Sequence, residues 1–125
     1  MKIKNHEELE VFQQSFKAAV TIFEVSKSFP KEERYSLTDQ IRRSSRSVCA
    51  NISEAFRKRY YINSFISKIS DSEAEAAETQ VWIKFSLYFS YINLEKYKEL
   101  MQEYDNIIGK LVMMRTNPEK WSIDH

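Results

Sequence analysis

The sequence is poor in the residues that interrupt regular structure, with one glycine and two prolines among 125 residues. Hairpin turns and strand ends depend on these residues, so the composition argues against a fold built from β-strands. Hydrophobic residues make up 42% and charged residues 30%, which indicates a folded rather than a disordered chain. A chain of this length has room for one domain around one core.

Cysteine is equally scarce, since Cys49 is the only one and no intrachain disulfide can form. Residues 1–8 contain no apolar run of the kind that follows the basic start of a signal peptide. The most apolar stretch, residues 81–92, contains Lys84 and is too short to span a bilayer. We therefore expect a soluble cytoplasmic protein in which Cys49 is a small buried apolar residue.

Histidine is nearly absent, and its absence removes most of the chemistry that helical bundles support. The only two, His6 and His125, lie near the ends of the chain. Di-iron bundles need Glu-x-x-His pairs within two helices, and zinc sites need clustered Cys and His. A Ser or Cys nucleophile usually needs a histidine base, and a phosphate-binding loop needs several glycines. The sequence therefore predicts no enzyme, no metal site and no cofactor.

The apolar residues recur at spacings of three and four, which is the period of amphipathic helices. They predict four helices at about residues 7–26, 36–57, 62–91 and 94–115, forming one domain over residues 1–116 with a loose tail at 117–125. Ser36 and Asn93 are the predicted N-caps of the second and fourth helices. The link between the last two helices is very short, so these must be antiparallel neighbours. The predicted fold is all-α, an up-and-down antiparallel four-helix bundle.

Two helices carry more apolar surface than one core requires. In the first helix, the row that contains Phe12 and Phe16 is predicted to face the core, and a second row runs beside it. In the third helix, residues 81–89 are apolar nearly all round. Such an excess predicts contacts between subunits. The predicted oligomer-interface residues are Val11, Ala18, Ile22, Trp82, Phe85 and Phe89.

The formal net charge is only +1, but the charges are unevenly distributed. Residues 40–60 contain six basic side chains and one acidic one, with Tyr60 and Tyr61 close by. Basic groups neutralise phosphates and aromatic rings stack on unpaired bases, so this pattern favours nucleic-acid binding. The predicted contacts are Arg42, Arg46, Arg57, Lys58 and Arg59. Cations near a helix C-terminus also favour the helix dipole, which leaves a structural role open for the last three.

Arg43 points about 100° away from its neighbour Arg42 on the helix. The third helix carries four carboxylates and no basic residue between residues 71 and 80. We predict that Arg43 pairs with Glu75 or Glu78 and fixes the register of the second and third helices. The alternative is that Arg43 faces solvent and is free for a ligand.

Several segments together resemble a known family. Residues 40–45 (QIRRSS) and 51–55 (NISEA) are similar to the pattern Q-I-R-R-A-x-x-S-I-x-x-N-I-x-E-G, which is typical of bacterial four-helix bundle proteins encoded in intervening sequences of 23S ribosomal RNA genes. Residues 9–13, 29–33 and 75–80 agree as well, so the resemblance covers the chain to about residue 115. Two departures are Ala55 where the pattern has glycine, and Asp71-Ser72 where it favours Gly-Ser.

The resemblance implies a four-helix bundle that assembles into a ring, as a homopentamer. A related branch serves as the accessory protein of the reverse transcriptase in diversity-generating retroelements and binds RNA and the enzyme through a basic surface. The expected function is a non-enzymatic oligomeric protein that binds structured RNA through its second helix. The alternative is a protein–protein interaction scaffold or accessory subunit that does not bind nucleic acid directly.

Overall fold

The computed structural model describes residues 3–121, and within that range it contains four long helices and no strand. They are α1 (Glu10–Ser26), α2 (Leu37–Arg57), α3 (Ile62–Tyr88) and α4 (Leu94–Thr116). Each helix packs against its neighbour in sequence, and α1 closes the bundle against α4. This confirms the predicted all-α four-helix bundle. No helix of the described range is long and apolar enough to cross a membrane.

The helix ends differ from prediction where the backbone leaves the helical conformation. Leu9 is extended, so a single 3-10 turn at His6–Glu8 precedes α1 and the helix begins at Glu10 rather than at residue 7. At the other end of the fold, α3 stops at Tyr88 because Ser90 has a φ of 63°. The amide of Tyr91 then donates to the carbonyl of Ser86 at 2.8 Å, which closes a Schellman motif.

The two predicted N-caps have different outcomes. Asn93 caps α4, because its side chain accepts from the amide of Lys96 at 2.8 Å. Ser36 precedes α2 but makes no capping bond; its hydroxyl donates to Glu33 at 2.7 Å. The same Glu33 oxygen accepts from the amide of Leu37 at 3.3 Å, so a carboxylate from the preceding turn satisfies the start of α2.

The assignment of the two α1 faces was wrong. Val11, Ala18 and Ile22, predicted to lie between subunits, are buried in the core of this chain. They form a stripe with Ser15 and Ser26, two small polar residues that are also buried. The row predicted to face the core does so only in part: Leu9 is buried and Phe12 packs against the core, whereas Phe16 is 56% exposed. The core beside α2 and α4 thus encloses the row of Val11, Ala18 and Ile22 and leaves Phe16 outside.

The interface between α2 and α3 is built from small side chains. Ser72 is fully buried, and its hydroxyl donates to the carbonyl of Val48 at 2.9 Å. Ser44 and Thr79 share a buried hydrogen bond of 2.8 Å between the same two helices. Asp71, which replaces a glycine of the family pattern, is exposed and does not obstruct this contact. The close approach of the helices therefore depends on Ser72 and not on its neighbour.

The predicted loose tail falls partly outside the described residues. Within them, Pro118–Lys120 forms a 3-10 turn, and Trp121 packs against the core together with Ile3 from the other end of the chain.

Candidate nucleic-acid interface

A row of side chains four residues apart runs from the turn before α2 onto the helix itself. It consists of Arg34, Thr38, Arg42 and Arg46, and we call it the arginine ridge. Positions four apart on a helix lie about 6 Å apart along its axis. This is close to the separation of neighbouring phosphates in a nucleic-acid strand.

Two clefts flank the ridge and share three of its members. One has a volume of about 490 Å³ and reaches from Arg34 to Arg46, with Asp39 and Arg43 at its edge. The other has a volume of about 300 Å³ and adds Lys27 and Lys31 from the connection between α1 and α2. The ridge thus separates two shallow basic depressions, which gives an anion access to it from either side.

The ridge arginines have no carboxylate within ion-pair distance among the described residues. The ion pairs found there involve other basic residues: Lys27, Arg43, Lys68, Lys96, Lys110 and Arg115. Arg42 instead donates from Nε to the hydroxyl of Ser26 at 2.7 Å and lies over the ring of Phe23 at 4.6 Å. Arg46 lies over the same ring at 5.8 Å. Cation–π contacts orient a guanidinium without cancelling its charge.

The structure does not bring all five predicted nucleic-acid contacts into one patch. Arg42 and Arg46 lie on the ridge, whereas Arg57 follows Arg46 by eleven residues, about 16 Å along the helix. Arg59 donates to the carbonyl of Phe56 at 2.8 Å and stacks over its ring at 3.8 Å, so it serves the helix end. Arg57 and Lys58 are exposed. The prediction therefore divides into the ridge and a separate basic end of α2.

The sequence reasoning missed the basic residues that come before α2. Lys27, Lys31 and Arg34 lie in the connection between α1 and α2 and reach the clefts because the chain turns back along the ridge. A sequence signal was available for Arg34, since the ridge continues its spacing of four into the helix. Tyr35 follows it, with its ring 5.8 Å from the Arg34 guanidinium.

The ion pair predicted for Arg43 is present. Its Nη2 lies 2.7 Å from Oε2 of Glu78, and its Nη1 lies 4.0 Å from Glu75. Glu78 also accepts from the indole nitrogen of Trp82 at 3.2 Å. Burial is the main cause that raises the pKa of Glu75, with Glu78 adding to it and Arg43 opposing it. These contacts connect α2 with α3.

The Arg43 side chain is 49% exposed and that of Glu78 is 36% exposed, so water screens their attraction. We expect Arg43→Ala to lower the free energy of unfolding by less than about 1 kcal/mol, and not by the larger amount that a buried pair would cost. Urea unfolding followed by circular dichroism measures the difference. A loss of about 3 kcal/mol would show that Glu78 and Glu75 are stranded as buried charges.

Two apolar surfaces on the outside of the bundle lie on the helices for which an oligomer interface was predicted. The first, the α1 groove, has a volume of about 550 Å³ and is lined mainly by Phe12, Phe16, Val20 and Phe23 of α1, with Arg46 and Ala50 on the α2 side. The second, the α3 aromatic face, consists of Trp82, Phe85 and Phe89, whose neighbouring ring centroids lie 6.0 Å apart. Phe85 and Phe89 are about half exposed and Trp82 is partly buried. The predicted interface residues Phe85 and Phe89 on α3 are thus exposed, whereas on α1 the exposed apolar residues are Phe16 and Val20.

No group of three or more metal-ligating side chains comes together between residues 3 and 121. His6 lies at one end of the α1 groove, with Nδ1 3.2 Å from the hydroxyl of Ser53. His125 lies outside the described residues.

The fold and the surface together define a small helical bundle with a basic ridge on one helix and apolar faces on two others. The chain belongs to the 23S rRNA-intervening sequence protein family, whose family model matches residues 7–113. A solved structure with 29% identity, a protein of unknown function from the S23 ribosomal protein family of Bacteroides thetaiotaomicron, matches with a TM-score of 0.77. The match covers 85% of this chain and 95% of that one. A comparison with curated proteins gives no match.

Proposed function

We propose that this protein is a non-enzymatic cytoplasmic RNA-binding protein that holds structured RNA on the arginine ridge. The observation that carries the proposal is the set of three arginines, Arg34, Arg42 and Arg46, without a carboxylate partner among the described residues. Bringing like charges together on one surface has a cost, which phosphates would offset.

Because the net charge of the chain is low, RNA binding by the arginine ridge can be distinguished from general electrostatic attraction. A chain of formal charge +1 has little general attraction for RNA, so strong binding must come from a local cluster. Each phosphate contact releases counterions, and the logarithm of the affinity falls by about 0.7 per contact for each unit of log salt with single-stranded RNA. Three ridge contacts on one subunit therefore predict a slope of about −2.

The experiment is a fluorescence anisotropy titration of a labelled RNA hairpin between about 50 and 200 mM salt. We expect the affinity to fall over this range with a slope of about −2 or steeper. Lysozyme-like generic basic proteins are unsuitable controls because their net charge is high. A small neutral helical protein is a better one, and equal binding by that protein would contradict the proposal.

We also propose that the protein assembles with itself, in a pentameric ring as the family resemblance implies. Phe16 and Val20 of the α1 groove and Phe85 and Phe89 of the α3 aromatic face are each about half exposed, and clusters of exposed apolar side chains often mark protein–protein contacts. A ring would repeat the ridge around its axis. Several weak ridges acting on one RNA then bind more tightly than one, since each later contact forms at a high effective concentration.

Light scattering coupled to size exclusion tests the assembly. We expect the wild-type protein to elute as an oligomer at micromolar concentration, and Phe16→Glu with Phe85→Glu to elute as a folded monomer. Lys84→Glu with Lys98→Glu, two exposed changes outside both apolar surfaces, is the matched control. A monomeric wild type would exclude the assembly. A stable oligomer that does not bind RNA would instead favour the alternative function, a protein–protein interaction scaffold.

A further inference from the structure

The ring of Tyr35 is 86% exposed, more than that of any other large hydrophobic side chain among the described residues. Burying an aromatic ring stabilises a fold, so a ring held this far into solvent does nothing for the core. The Arg34 guanidinium lies 5.8 Å from the centre of this ring. The ring therefore stands at the beginning of the arginine ridge, beside its first cation.

The backbone that carries this ring is held in place by hydrogen bonds. The amide of Arg34 donates to the carbonyl of Lys31 at 3.1 Å, and that of Ser36 donates to the carbonyl of Glu33 at 3.0 Å. The Glu33 carboxylate accepts from the hydroxyl of Tyr91, 58 residues further on, at 2.8 Å. Hydrogen bonds from Ser36 and Tyr91 lower the pKa of Glu33, so the carboxylate that holds this turn is charged at neutral pH. Because the backbone that carries the ring is already held in place, less conformational entropy is lost when the ring binds a ligand.

The position of the ring selects one kind of ligand. A strand whose phosphates follow Arg46, Arg42 and Arg34 must leave the ridge past Tyr35. In a paired A-form helix the bases are stacked inside and cannot reach an exposed ring. An unpaired base has a free face, and stacking on an aromatic side chain is favourable for every base type.

We propose that Tyr35 is a stacking platform for one unpaired base of the bound RNA, whose neighbouring phosphate is held by Arg34. This inference rests on the proposed function of the ridge. It names the ligand more closely, as a ribonucleotide in a loop, a bulge or a single-stranded end beside a helix. Sequence preference is not expected, because stacking reads the face of a base and not its edge.

The experiment compares two RNAs with equal numbers of phosphates, one a hairpin with an unpaired loop and the other a fully paired duplex. We expect Tyr35→Ala to bind the hairpin roughly 10-fold more weakly and to bind the duplex as the wild type does. Tyr35→Trp should retain the hairpin affinity. Tyr88→Ala is the matched control, because Tyr88 is 81% exposed on α3 and lines neither cleft of the ridge. Its ring lies 5.6 Å from that of Phe89, so light scattering must show that this variant assembles as the wild type does.

A 2-aminopurine in the loop gives a second readout. Its fluorescence should be quenched on binding to the wild type and not on binding to Tyr35→Ala. The inference is overturned if Tyr35→Ala binds the hairpin as tightly as the wild type, or if it weakens both RNAs equally. Arg34→Glu with Arg46→Glu separates the two proposals. If that variant loses RNA binding and Tyr35→Ala does not, the proposal that the ridge binds RNA stands. Only the stacking role of Tyr35 is then excluded.

Discussion

A variant with Arg34→Glu and Arg46→Glu is expected to bind structured RNA about 100-fold more weakly than the wild type at about 0.1 M salt. Two phosphate contacts are lost, and each reversed charge repels the strand that it used to attract. The salt slope should become shallower by about 1.4, which is the share of two contacts to single-stranded RNA. Fluorescence anisotropy at several salt concentrations gives both the affinity and the slope.

The choice of these two positions follows from their surroundings. Both side chains are exposed, whereas Arg42 is partly buried and donates to Ser26, so a change at Arg42 would also remove a hydrogen bond between α1 and α2. Arg46 also lies over Phe23 at 5.8 Å and lines the α1 groove, so size exclusion must show that the variant assembles as the wild type does. Lys84→Glu with Lys98→Glu changes the net charge by the same amount on exposed parts of α3 and α4. We expect this control to keep most of the affinity. Equal losses in both double variants would mean that net charge matters and that the ridge does not.

Replacing Ser72 by leucine is expected to destabilise the protein by about 3 kcal/mol. The serine is fully buried, and its hydroxyl touches the backbone of α2 at Val48, so a larger side chain must push the two helices apart. Ser72→Ala removes only the hydrogen bond and should cost about 1 kcal/mol. Urea unfolding followed by circular dichroism measures both values.

The neighbouring position provides the control for this prediction. Asp71 is exposed, so Asp71→Leu adds an apolar side chain of the same size without meeting α2. Its effect should stay within about 0.5 kcal/mol. If Ser72→Leu is as stable as the wild type, the interface between α2 and α3 can open locally at no cost. If Asp71→Leu is as damaging as Ser72→Leu, residue 71 also faces α2.

The number of helices and the fold were predictable because the apolar period was clear and few glycines or prolines interrupted it. The face of α1 was not. Phenylalanine is more hydrophobic than alanine, so the row of Phe12 and Phe16 looked like the core, whereas the buried row includes Ser15 and Ser26. A serine that is buried between closely packed helices still counts as polar in the hydrophobicity pattern, so the pattern places it on the surface. The same effect hid Ser72, Thr79 and Ser86 in the buried stripe of α3.

The candidate nucleic-acid interface could be predicted only in part from the sequence, for a different reason. Arg42 and Arg46 were found because they cluster within one helix, and the contact of Arg43 with Glu78 followed from helix order. Arg34 and Tyr35 precede the helix, and their place beside the ridge depends on the path of the turn. Hydrogen bonds from Ser36 and Tyr91 to Glu33 set that path. A contact between residues 58 positions apart leaves no local pattern in the sequence.

The order in which the helices meet has a kinetic consequence. Most contacts join helices that are adjacent in sequence, and chains with local contacts fold within microseconds to milliseconds. Residues 58–61 alone connect α2 to α3, so closing that hairpin loses little chain entropy. The ten residues 27–36 before α2 make the docking of α1 a later step. We therefore expect the hairpin of α2 and α3 to form first. The basic side chains of α2 are then exposed on this hairpin before α1 docks and Phe23 contacts them.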